Sequence, residues 1–408
     1  MYKRHVTIHT LENGLRLVHL QIGGSPVEHF GIAVGAGSSD ESTDQYGLAH
    51  FVEHTLFKGT EKRNSWHIIN RMESVGGELN AFTTKEDTVI YSTFPRGSLR
   101  RAVELISDLM LNSRFPDAEI EKERCVVCDE INSYLDSPAD AVYDDFEDLL
   151  YKGNPLGHNI LGTEDSVNRI TGADCRKWME SLYFAGNMVA FYAGSQSAQS
   201  VVSKCAVYLC DIPRKHHDHL DVPEWKSNEV FSVTQKSATH QAHTVLGCCL
   251  PCLEKRERLV FALLTNILGG PGMNSLLNVS LRERRGLVYN VESSLSNWRR
   301  TSMFSTYFGT DPEDNNKCID LVVKEMKSLA QGSMTPRKLG AFIKQYRGQL
   351  ILSQANVENR VMGIARALLL HGQVNTLEET NRMLDGITVG DITSAAERLL
   401  PLSSLTFI

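Results

Sequence analysis

Gly47-Leu48-Ala49-His50-Phe51-Val52-Glu53-His54-Thr55-Leu56 is the stretch on which the rest of the chain is organised. Read as a helix, it puts His50 and His54 at i and i+4, one turn apart on a single face. Glu53 borders that face, three residues after His50. Two imidazoles at this spacing can hold one zinc ion, and a carboxylate beside them can take a proton from water. The order H-x-x-E-H is the reverse of the commoner H-E-x-x-H zinc motif. The competing interpretation is a pair of ordinary helix histidines with a surface glutamate, so the motif needs support from the rest of the chain.

At 408 residues the chain is too long for one ordinary core, and two domains are expected. Its 42% hydrophobic and 22% charged residues are those of a soluble globular protein. The formal net charge of -7 gives no case for a nucleic-acid partner. Nine irregularly spaced cysteines suit a reduced compartment better than a disulfide framework. No secretory h-region opens the sequence and no run of 18 apolar residues is found, so no membrane partner is expected and a cytoplasmic protein is the default.

Working outward from the histidines, Leu11-Glu12-Asn13-Gly14 is a turn between two strand-like segments, and Phe30-Gly31-Ile32-Ala33-Val34 is a buried strand. Asn64 caps a second helix that Gly76-Gly77 ends. Glu78–Thr83 and Thr88–Phe94 form a strand pair. Helices follow over about 98–111 and 118–135, separated by Phe115-Pro116-Asp117.

The second half repeats this order. Strand Thr244–Cys249, a helix over Leu259–Leu268, strands at Val288–Asn290 and Ser302–Phe308, and helices over 319–329 and about 338–354 answer their counterparts. The helix matching the His50 helix carries no ligands. The expected fold is α+β: two homologous domains, each an antiparallel-rich sheet packed with helices. Boundaries are expected at 1–210 for a zinc-binding domain, 211–228 for a Pro-containing linker with the polar run Lys215-His216-His217-Asp218-His219, and 229–408 for a ligand-free domain.

A catalytic zinc takes three protein ligands and a water, so a third ligand must come from elsewhere. The helix Glu119–Ile131 offers Glu123 and Glu130, seven apart on one face, with Val126 and Val127 between them packing the helix inward. A zinc ribbon from Cys125-x-x-Cys128 and Cys249-x-x-Cys252 is disfavoured, because the pairs are over a hundred residues apart and core thiols account for them.

His50-Phe51-Val52-Glu53-His54 with Glu130, 130 − 54 = 76 residues on, resembles the pitrilysin-like inverzincin zinc metallopeptidases. The branch it looks most like holds the mitochondrial processing peptidase and its bacterial relatives. Gly76-Gly77-Glu78-Leu79-Asn80-Ala81 and Leu281-Arg282-Glu283-Arg284-Arg285-Gly286-Leu287-Val288-Tyr289 extend the resemblance across most of the chain. It implies that His50, His54 and Glu130 ligate Zn2+, that Glu53 is the general base, and that Glu123 orients a ligating histidine. It implies further that Asn80, Ala81 and Phe82 form an edge strand to which a peptide adds, and that Arg282 and Tyr289 bond the substrate carbonyl. The expectation is a zinc endopeptidase acting on peptides or unfolded segments in an enclosed dimeric chamber, with Arg282 and Tyr289 supplied in trans by a homodimer partner. The alternative is a non-catalytic partner or core subunit of a peptidase-like complex. Gly269-Gly270-Pro271-Gly272 matches a family glycine-rich loop in position, but a helix stop explains it as well, and no catalytic role is assigned to it.

Overall fold

The computed structural model describes residues 6–215, 229–237 and 239–408. Most of the expected linker, with the His216-His217-Asp218-His219 cluster, lies outside these residues. The described chain forms two compact units, and neither is a contiguous half.

The first unit takes described residues up to 132, residues 158–215 and residues 354–374. Its sheet has strands β1 (Val6–Thr10), β2 (Arg16–Gln21), β3 (Val27–Val34), β4 (Glu78–Thr83), β5 (Thr88–Pro95) and β6 (Met188–Gly194), in the order β1-β2-β6-β3-β5-β4. Only β2 and β6 run parallel. β3 reads as a near-continuous apolar run because both of its faces are covered. Phe30, Ile32 and Val34 look into a core built with helices Leu48–Leu56, Leu99–Asn112 and Asp117–Leu135. Ala33, with Val18, Val89 and Phe191, looks the other way onto helix Val357–His371, which contributes Val361, Ala365 and Leu368.

The second unit takes residues 133–157, described residues of 229–353, and residues 375–408. Its strands are β7 (Ser232–Gln235), β8 (Ala242–Pro251), β9 (Val288–Asn297), β10 (Thr301–Thr310) and β11 (Ser403–Phe407), in the order β7-β11-β8-β10-β9. Again one pair, β7 with β11, is parallel and the rest antiparallel. Strand for strand, β2-β6-β3-β5-β4 and β7-β11-β8-β10-β9 are the same sheet. The expected duplication is therefore present in connectivity and strand direction, and the two-unit α+β fold is as read from the sequence.

The units depart from the halves expected at 1–210 and 229–408. Helix Pro138–Leu150 directly follows the long helix of the first repeat, yet its Val142, Phe146 and Leu150 pack on Val245 and Leu405 of the second sheet. Helix Val357–His371 holds the equivalent position in the second repeat and packs on the first sheet. Each repeat thus covers one face of the other's sheet. Hydrophobic periodicity marks both segments as amphipathic helices but does not say which apolar face receives them.

Candidate metal centre

Helix Leu48–Leu56 is set by its start. Gly47 sits at φ 91° at the N-cap, where a side chain would be strained and a Cβ would lie 2.5 Å from the carbonyl oxygen of Leu161. Glu41, fully buried, accepts hydrogen bonds from the Gly47 N–H (2.9 Å) and the Ala49 N–H (2.7 Å), satisfying amide donors that a helix start leaves open. His158 Nε2 lies 3.0 Å from the same carboxylate, and its ring stacks on Tyr46 at 3.8 Å. Leu48, Ala49, Phe51, Val52, Thr55 and Leu56 are buried, and His50, itself buried, shares the other side of the helix with the half-buried Glu53 and His54.

On the long helix Asp117–Leu135 the buried stripe is Ile120, Glu123, Val127 and Ile131. Two expectations need correction here. Val127 packs inward but Val126 is 48% exposed, because it lies about 100° round the helix from Val127. Of the two carboxylates, Glu123 is the buried one; the side chain of Glu130 is 44% exposed, since two turns of 3.6 residues drift off the seven-residue repeat.

The ring nitrogens of His50 and His54 and a carboxylate oxygen of Glu130 all lie within 4.8 Å of one another. His54 Nε2 is 3.4 Å and His50 Nε2 3.8 Å from Glu130 Oε2. Among the described residues this is the one group of three such side chains so placed. Glu123 Oε1 is 2.9 Å from His54 Nδ1, and Glu123 Oε2 accepts from Lys58 Nζ at 2.6 Å. The first contact leaves His54 Nε2 as the free donor, the arrangement that fixes a ligating imidazole. Two imidazoles and one carboxylate within reach of a common point fit a zinc ion of three protein ligands and one open position.

The electrostatics set the two imidazoles apart. Burial, helped by the neighbouring His54, pushes the His50 imidazole down to about 3, so it is neutral with a lone pair available. Burial also disfavours charge on His54, but the bond to Glu123 and the nearby Glu130 and Glu53 outweigh it and raise its pKa. Burial lifts the Glu53 carboxyl above its usual value, opposed by a hydrogen bond from Thr83. The Thr83 hydroxyl donates to Glu53 Oε2 at 2.6 Å. Glu123 is lowered: burial opposes its charge, but the bonds to His54 and Lys58 prevail.

Sequence reasoning assigned no role to Thr83, Lys58 or Glu41. Thr83 ends the strand singled out for substrate, so its place in the sequence was visible although its partner was not. Lys58 lies one turn beyond His54, just past the end of the helix. Glu41 is in a loop with no periodic signal at all.

Asn80, Ala81 and Phe82 lie on β4, which pairs with β5 on one side and is the edge of the sheet on the other. Arg282 and Tyr289 belong to the second unit. Arg282 sits in the π-helical segment Asn278–Glu283, and its guanidinium lies 5.6 Å from the ring of Tyr289, which is 85% exposed. Gly269 closes helix Lys255–Gly269 and Gly270 is its C-cap, bonding back to Asn266. All nine cysteines are free, and those of the two Cys-x-x-Cys pairs stand in separate units. Among the described residues no helix is long and apolar enough to cross a membrane.

Fold and site together define a duplicated α+β protein in which, among the described residues, the one zincin-type donor set is carried by the first repeat. Residues 24–164 match the family model described as Insulinase (Peptidase family M16), and residues 169–346 match Peptidase M16 inactive domain. The chain belongs to peptidase family M16. It is 30% identical to the "uncharacterized zinc protease YmxG" of Bacillus subtilis (strain 168), over 98% of this chain and 96% of the relative. It is 31% identical to the "uncharacterized zinc protease Rv2782c" of Mycobacterium tuberculosis (strain ATCC 25618 / H37Rv), over 96% of this chain and 90% of the relative. The crystal structure of a protease from Helicobacter pylori shares the fold with a TM-score of 0.91 at 20% identity, covering 100% of both chains.

Proposed function

We propose that the protein is a zinc metalloendopeptidase of peptides or unfolded protein segments. The observation that carries this reading is the convergence of His50, His54 and Glu130 on one point, with the half-buried Glu53 carboxylate on the same helix held by Thr83. His50, His54 and Glu130 would hold the zinc, with Glu123 and Lys58 fixing His54. When bound, zinc supplies Lewis acidity, which acidifies water and polarises a carbonyl.

The chain's own groups do the rest. A peptide extends the sheet along the free edge of β4 at Asn80, Ala81 and Phe82, paired through its backbone, so that binding tolerates many sequences. Glu53 removes a proton from the attacking water and returns it to the amine that leaves. Its burial raises its proton affinity, which suits a base that must later act as an acid. Arg282 and Tyr289, adjacent to each other and partly or largely exposed, donate hydrogen bonds to the developing oxyanion. We assign them to a homodimer in which each chain supplies the pair in trans, enclosing the peptide, and place the enzyme in the cytoplasm.

The test is Glu53→Gln in the full chain, assayed on a peptide library by mass spectrometry with zinc content measured in parallel. The reading requires cleavage by the parent chain, at least a ~100-fold loss in the variant, and undiminished zinc. A zinc-loaded parent chain that cleaves nothing would instead favour a non-catalytic partner subunit.

A further inference from the structure

The first unit contains a second polar concavity, assembled from three elements near the start of β4. It is a cavity of about 390 Å³ between the turn after the histidine helix, helix Ser65–Glu73 and helix Leu99–Asn112. Lys62, Arg63, His67, Arg71 and Arg101 line it, with Asn70 and Ser74 as the remaining lining groups. No carboxylate is among them.

Two carboxylates stand behind the lining. Glu104 is shared by Arg63 (2.5 Å) and Arg71 (3.1 Å), and the nearly buried Asp108 holds the other arm of Arg63 at 2.5 Å. Four permanent cations therefore face two carboxylates, an excess of two positive charges. Donors are also in surplus. The buried Arg71 Nε has no hydrogen-bond partner. Arg101 engages only one guanidinium nitrogen, in two long 3.4 Å contacts to Arg71 O and Ser74 Oγ. The Lys62 ammonium makes no hydrogen bond or ion pair among the described residues. The carboxylates lock Arg63 and Arg71 in place, while Lys62 and Arg101 are left to meet a ligand.

We propose that this cavity binds a phosphate dianion, free or as the monoester of a small molecule. Two positive charges in excess match a dianion, guanidinium forks match the oxygens of a phosphate, and the volume leaves room for a small organic group. The ligand bridges the turn and the two helices. The proposal does not depend on the peptidase reading.

Isothermal titration of the full-length zinc-loaded protein at constant ionic strength tests it, with inorganic phosphate, glycerol phosphate and tetraglutamate as probes. Saturable one-site binding of inorganic phosphate is expected, weakened at least about tenfold in Lys62→Gln/Arg101→Gln. Glycerol phosphate binding more tightly than inorganic phosphate identifies a monoester as the ligand; the reverse identifies the free ion. These two side chains carry little of the fold, so the unliganded variant should unfold at the parent temperature, and a variant that does not fold is replaced by Arg101→Gln alone. Absence of saturable binding, equal affinity in parent and variant, or tighter binding of tetraglutamate than of either phosphate overturns the proposal.

Discussion

Thr83 donates its hydroxyl proton to Glu53 Oε2 at 2.6 Å, joining the last residue of the edge strand β4 to the carboxylate on the histidine helix. One hydrogen bond thereby sets the position of the proposed base relative to the strand proposed to hold the peptide. Thr83→Val should lower kcat by about 10–100-fold with KM and zinc content little changed, and Thr83→Ser should restore most of it. Steady-state kinetics on one peptide decides the matter; a valine variant with parental kcat would remove Thr83 from the site.

Glu123 holds His54 on one oxygen and Lys58 on the other. Glu123→Gln keeps the shape but weakens both contacts, so zinc affinity should fall about 10–100-fold in competition with a chelator. Lys58→Met should act in the same direction and more weakly, since it reaches the metal site only through Glu123.

The Glu41 carboxylate serves Gly47, Ala49 and His158 from a fully buried position. Glu41→Ala strands two amide donors at a helix start, and the expected cost is on the order of 3 kcal/mol in denaturant unfolding. Zinc binding should weaken with it, because His50 is the next residue along the helix from Ala49.

Arg366 grips the fully buried Asp87 through Nε at 2.5 Å and a second nitrogen at 2.7 Å, fastening helix Val357–His371 to the first sheet. Arg366→Met removes the cation from the buried Asp87 carboxyl and leaves it only the Thr84 hydroxyl as a side-chain donor, at a cost of about 3–5 kcal/mol. Asp87→Asn added to Arg366→Met should recover part of that loss, which a double-mutant cycle by urea unfolding would quantify. A strictly additive cycle would mean that the pair contributes nothing to docking the helix.

His19 and His29 are both held below the ordinary imidazole value of 6.5, chiefly by burial; Glu358 opposes the shift at His29 without cancelling it. A depressed imidazole protonates in the unfolded chain before it does in the folded one. Their contribution is therefore fully present above about pH 6.5 and is lost as the pH falls from there through the folded values. Unfolding free energy measured from pH 7.5 to 5 should decline, and the decline should be shallower in His19→Gln, whose parent ring donates from Nε2 to Gln196 O.

Much of this was legible in the order of residues. The spacing of His50, Glu53 and His54 fixed a helix face, and the Asn64 cap bonds the His67 amide as a cap should. Three strands of the second sheet, β8, β9 and β10, followed from repetition, whereas the short β7 and β11 were not read. What escaped were relations with no periodicity and no fixed spacing. Glu41 reaches its helix across a loop, and Thr83 meets Glu53 from a strand 30 residues away. The swap of helices Pro138–Leu150 and Val357–His371 was hidden for a different reason. Two repeats with the same sheet offer two similar apolar faces, and amphipathicity alone cannot choose between them.

That swap bears on how the polypeptide matures on the ribosome. All six strands of the first sheet have been made once β6 ends at Gly194, yet Val18, Val89 and Phe191 wait for a helix that begins at Val357. For the intervening 162 residues, 195 to 356, the nascent sheet carries a bare apolar face, the kind of surface that holdase chaperones bind. A gene cut at the linker would leave both products with that face bare, whereas co-expressed fragments could complete each other. The late helix thus makes completion of the first sheet depend on synthesis of the second.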